Sequence, residues 1–63
     1  MERHELEALL AGKVIARAEL GPRTVVLAFT DGTLLVREKT FEGLTRATLF
    51  GTGGETIATA VLS

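Results

Sequence analysis

The chain has 63 residues, a net charge of −1 and no cysteine. That length allows a single domain, 1–63, and excludes a second. The missing cysteines exclude disulfides and thiolate zinc sites. Seven basic residues against eight acidic ones leave no electrostatic footprint for nucleic acid or an anionic membrane.

A chain of 6.7 kDa is expected to expose roughly 3,900 Å² when folded, having buried only about 60% of its extended surface. Burial and chain ordering then nearly cancel, and small domains are commonly rescued by disulfides, metals or oligomerisation. With the first excluded, the expectation is a homo-oligomer, in its simplest form a two-fold dimer. No apolar run approaches the roughly 18 residues that span a bilayer. No basic stretch followed by an apolar core opens the chain, so a cytoplasmic location is expected. Asn, Gln and Cys are absent and Met1 is the only methionine, a depletion reported for thermophiles and equally produced by GC-rich codons.

The segment 2–11 contains only helix formers apart from His4. Leu6, Leu9 and Leu10 fall at i, i+3 and i+4, one apolar stripe. Glu2, Glu5 and Glu7 favour the positive end of the helix dipole, and Gly12 is a natural stop. From Lys13 the period becomes two. Val14, Ala16, Ala18 and Leu20 alternate with Ile15, Arg17 and Glu19, which predicts a strand over 13–20. Gly21-Pro22 breaks it.

Two strand-like runs follow, 24–30 and 33–39, separated by Asp31-Gly32. Asp-Gly between apolar runs marks a two-residue hairpin. That turn sets Thr30 opposite Thr33, Phe29 opposite Leu34 and Leu27 opposite Val36. Val25, Leu27, Phe29, Leu34 and Val36 then share an apolar face; Val26, Ala28, Leu35 and Arg37 share the other. The segment 40–43 reads as a loop, 44–50 as a fourth strand, 51–54 as a flexible loop and 55–62 as a fifth strand rich in β-branched residues. No internal repeat is visible. The fold class is α+β: an N-terminal helix, then a four- to five-stranded antiparallel meander, either an open sheet or a small partly closed barrel. One helix about 10 Å across covers only part of a sheet about 19 to 24 Å wide. The uncovered surface, with Ile15, Val26 and Leu35, is the expected oligomer interface, reached by packing faces or by pairing edges.

Candidate chemistry is sparse. His4 and Glu7 stand at i and i+3, a spacing that can place two ligands on one metal, yet two ligands are too few, so a solvated helix face is expected and no metal. Gly51 to Thr56 superficially resembles an anion nest, but no helix follows and the spacing fits no phosphate loop. Asp31, the only Asp, is explained as a turn residue. Glu38, opposite Val25 in the register above, points toward the apolar face or lies at the sheet margin. With no cysteine and only Ser63 as a serine, no catalytic constellation forms, and no cofactor is expected.

Arg17, Arg37 and Lys39 lie on period-two positions that can share one face, the arrangement that holds single-stranded nucleic acid when aromatics accompany it; Glu19 and Glu42 are interspersed, so ordinary solvated charges are the expectation. Phe41 and Phe50 are the available aromatics. A helix followed by five short strands resembles, in element order, the Sm-like RNA-binding barrels. That resemblance implies a small barrel binding single-stranded RNA; the family's strand signature pairs Asp with nearby Asn, and this chain has no Asn. The leading expectation is a non-enzymatic, self-associating binding or assembly unit. The alternatives are a barrel that binds single-stranded RNA or DNA and an enzyme with its site across a subunit interface.

Overall fold

The computed structural model describes residues 3–40 and 42–62. Helix α1 (Arg3–Leu10) is followed by strands β1 (Ile15–Leu20), β2 (Thr24–Phe29), β3 (Leu34–Lys39), β4 (Thr45–Phe50) and β5 (Thr56–Val61). They form one antiparallel meander in the order β1-β2-β3-β4-β5, and the sheet is open rather than closed into a barrel. The α+β class and every predicted element are present, with ends displaced by one or two residues. Phe41, in the segment read as a loop, lies outside the described residues.

The helix stops where Gly12 takes φ +81°, a left-handed position open to glycine at little cost. α1 lies against β5. Leu6 is buried on a floor of Ala47, Ala58 and Ala60, with Leu49, Leu35 and Phe29 completing the core and Leu10, Leu27 and Leu62 packed around it. Ala47 pairs with Ala60, and Leu49 with Ala58. Three alanines under one leucine let the helix approach the sheet closely at this end.

The β2–β3 register differs from the sequence expectation by one residue. Leu27 pairs with Leu35, Val26 with Val36 and Val25 with Arg37. The turn has three residues, not two. The Phe29 amide donates to the Thr33 carbonyl at 2.9 Å and the Gly32 amide to the Phe29 carbonyl at 3.1 Å, while Gly32 sits at φ +88°. This is a type I turn closed by a left-handed glycine, the usual three-residue hairpin. A one-residue slip exchanges the faces of β3 relative to β2. Leu35 therefore joins Leu27 and Phe29 in the core, and Leu34 and Val36 join Val26 and Ala28 on the opposite face.

The same turn recurs twice. Thr40 donates to the Leu44 carbonyl and Gly43 to the Thr40 carbonyl; Gly51 donates to the Glu55 carbonyl and Gly54 to the Gly51 carbonyl. Gly43 and Gly54 both have φ +84°. Gly32, Gly43 and Gly54 thus mark an 11-residue interval, a structural repeat that residue identity otherwise hides.

Both edge strands carry an irregularity. Ala16 is the extra residue between Ile15 and Arg17 in β1, and Ile57 is the extra residue facing the Leu49–Phe50 step in β5. Bulges twist an edge away from straight pairing and so discourage edge-to-edge association.

A Cβ added at Gly43 or Gly54 meets nothing within 4 Å, so substitution there tests the backbone alone. Gly43→Ala and Gly54→Ala are each expected to lower unfolding free energy by about 1 kcal/mol, measured by urea titration. No change would show that these turns do not need a left-handed residue.

Candidate functional site

The pairings sort every strand residue onto one of two faces. The helix-side face carries the rows Ala18–Leu27–Leu35–Leu49–Ala58 and Leu20–Val25–Arg37–Ala47–Ala60. The open face carries Arg17–Ala28–Leu34–Phe50–Thr56, then Glu19–Val26–Val36–Thr48–Thr59, then Thr24–Glu38–Arg46–Val61. Among the described residues no helix or strand packs over this second face.

Its layout is a small apolar square inside a polar frame. Val26, Ala28, Leu34 and Val36 are adjacent across the central strands β2 and β3, with Phe50 beside Leu34. Arg17 and Glu19 alternate along the β1 edge, and Thr48, Thr56 and Thr59 line the β5 side. Along the third row the Arg46 guanidinium donates to Glu38 Oε1 at 2.8 and 3.1 Å. An apolar centre with a polar rim is the ordinary anatomy of a protein–protein interface.

The expected interface residues fall in different places. Val26 lies on the open face, in the apolar square. Leu35 is 9% exposed and belongs to the core. Ile15, paired with Phe29, lies on the helix side at the edge and is 54% exposed. The three basic residues are also separated. Arg17 is on the open face, whereas Arg37 and Lys39 are on the helix side, so they do not form one basic face. Glu38 is opposite Thr24 rather than Val25; it points to the open face and pairs with Arg46. Of the phenylalanines, Phe29 is core and Phe50 is on the open face. All of these displacements follow from the one-residue slip in the β2–β3 hairpin or from the bulge at Ala16.

The helix side is only half covered. α1 shelters the β4–β5 end, while every residue of β1 is exposed, Leu20 by 81%. Between helix and sheet runs a groove of about 360 Å³ whose lining includes Leu6, Leu10, Leu35, Arg37 and Leu62. It adjoins a second groove of about 270 Å³ at the end of the sheet, where Arg23, Arg37, Glu38 and Lys39 meet beside Thr24 and Val25. Arg37 lines both. His4 and Glu7 are exposed on α1, and among the described residues no three His, Asp or Glu side chains gather where a metal could be held. The Gly51–Thr56 loop is a hairpin turn in which Glu55 accepts from the Gly53 amide at 2.9 Å. Among the described residues no helix is long and apolar enough to cross a membrane.

Asp31 has a strongly displaced titration. The Lys13 ammonium, the Thr33 hydroxyl and the Thr33 amide all donate to its carboxylate and hold its pKa well below the usual carboxylate range. The Lys13 ammonium also lies 5.7 Å from the Phe29 ring centroid, within cation–π reach. With the Thr30 amide donating to the Val14 carbonyl at 2.9 Å, this clamp ties the helix–strand linker to the β2–β3 turn. Its chemistry is structural: a turn carboxylate saturated by donors is a poor base.

No protein family, curated protein or solved structure matches this chain.

Because the folded pKa of Asp31 is depressed, its contribution to stability is complete above the unfolded value of about 3.9 and is lost as pH falls through the folded value. The urea midpoint is therefore expected to fall between about pH 5 and about pH 2 more steeply in the parent chain than in Asp31→Asn. Parallel pH profiles for the two proteins would show that the clamp contributes nothing.

Proposed function

We propose that the chain is a non-enzymatic, self-associating assembly unit, a two-fold dimer that packs the open faces of two sheets together. The observation that carries this reading is the square of Val26, Ala28, Leu34 and Val36 with Phe50, surrounded by threonines and charges. Sheets packed face to face lie about 10 Å apart with interdigitating side chains, and this face has aliphatic side chains of suitable size. A dyad that brings two β1 edges together sets Arg17 of one copy near Glu19 of the other, since the two alternate in sequence; a two-fold interface must be self-complementary in this way.

The edge-pairing route is disfavoured by the bulges at Ala16 and Ile57. The total surface supports incomplete cover: the chain exposes 4302 Å², about a tenth more than the roughly 3,900 Å² of a compact monomer of this mass. An interface needs about 1,000 Å² in total, so each copy must contribute about 500 Å².

Light scattering at low micromolar concentration is expected to give twice the chain mass of 6.7 kDa. Val36→Lys, at the centre of the open face, is expected to retain the circular dichroism of the parent and to weaken association at least about tenfold, because the buried ammonium finds no partner. A parent chain that is monomeric under these conditions, or a Val36→Lys variant that dimerises equally well, overturns the reading.

A further inference from the structure

Period-two alternation divides charge as well as apolarity between the two faces. On the open face acids and bases balance: Arg17 with Glu19, and Glu38 with Arg46. On the helix side the strands carry Arg37 and Lys39, because Glu19 and Glu38 both have the opposite parity; among the described residues the one carboxylate in the groove between helix and sheet is Glu7 of α1, at the end away from β1. Arg23, from the turn before β2, lines the groove at this end of the sheet with Arg37, Lys39 and Glu38, and Arg46 neutralises the Glu38 carboxylate from the open face. Beside this cationic end lies the part of the sheet that α1 leaves uncovered, Ala18, Leu20, Val25 and Leu27. It is two strands wide, about 10 Å, the diameter of one α-helix with its side chains. Its floor is aliphatic and its far end is positive.

We propose that this strip binds an acidic amphipathic α-helix supplied by another protein, laid beside α1 on the helix side of the sheet. Leu20, Val25 and Leu27 take the apolar stripe of the incoming helix, and Arg37 and Lys39 face its acidic flank. A helix laid in an apolar groove through residues at i, i+3, i+4 and i+7 is a common mode of peptide recognition, and complementary charge at the groove end fixes its direction and raises the association rate. The proposal goes beyond self-association and uses the opposite face, so a dimer through the open faces presents two such grooves outward.

The test uses two peptides of about 15 residues, long enough to be partly helical. Both carry Leu at i, i+3, i+4 and i+7; one has Glu at the remaining positions and the other Lys. Fluorescence anisotropy with the full chain is expected to show the Glu peptide binding at least about tenfold tighter than the Lys peptide, and weakening as salt rises from about 50 to 200 mM. Amide shifts in nuclear magnetic resonance spectra are expected to cluster on β1 and β2. Leu20→Ser, at an exposed edge position, is expected to lower affinity at least about fivefold, and the double variant Arg37→Glu, Lys39→Glu to reverse the preference between the peptides. Val36→Lys, on the open face, is expected to leave peptide binding unchanged, which separates this result from the oligomeric state. Equal affinity for the two peptides, indifference to both groove variants, or tighter binding of an oligothymidylate than of the Glu peptide overturns the proposal.

Discussion

One helix of eight residues must cover a five-stranded sheet, and it is too small to do so. A helix shields a band about 10 Å wide, whereas five strands at about 4.8 Å spacing spread over roughly twice that. The sequence places the available cover at one end. Ala47, Ala58 and Ala60 let α1 settle close to β4 and β5, and Leu6 fills the space they leave. The core is consequently off-centre, with β1 left exposed on both faces and the central strands sheltered on one. Every surface with interaction potential in this molecule is a remainder of that mismatch.

The elements themselves were legible from local pattern. The helix, the four turns and the five strands follow from periodicity and from Gly, Pro and Asp positions, because these depend on near neighbours along the chain. Face membership was not legible, since it depends on whether Asp31-Gly32 closes a loop of two residues or of three. Both are compatible with the dipeptide. In the three-residue form Asp31 occupies the middle position, where its carboxylate accepts from the Thr33 amide at 3.0 Å, and Gly32 supplies the left-handed step. The distinguishing signal was present in the sequence as the equal spacing of Gly32, Gly43 and Gly54. Three turns at one interval point to one turn type, and only the three-residue form suits Thr40–Leu44 and Gly51–Glu55. A two-residue turn would put Leu34 and Val36 in the core in place of Leu35 and turn Glu38 to the helix side.

The charge partition has the same origin. Arg37, Glu38 and Lys39 are consecutive, so alternation sends the two cations to the helix side and the carboxylate to the open face, where Arg46 in the next strand meets it. Arg17 and Glu19 both reach the open face because the bulge at Ala16 resets the parity of β1 after Ile15. Without that extra residue they would lie on the helix side, and Glu19 would stand on the face that carries Arg37 and Lys39. A single inserted residue at an edge therefore does two things. It blunts the edge against straight pairing, and it keeps Glu19 off the helix-side strip.

Taken together, these features favour association through faces over association through edges. An exposed edge strand invites pairing because its amides and carbonyls are unsatisfied by the sheet. Here both edges are interrupted, at Ala16 and Ile57, so a second chain finds no long straight ladder to extend. The faces differ in kind as well. The open face is charge-balanced with an apolar centre, which suits a copy of itself related by a dyad. The helix side carries Arg37 and Lys39 at one end and apolar residues beside them; a second dyad through that face would set like charges against each other, whereas an unlike, acidic partner would not. The two surfaces left by one short helix are thus suited to different occupants, and the parity of the strands is what keeps them distinct.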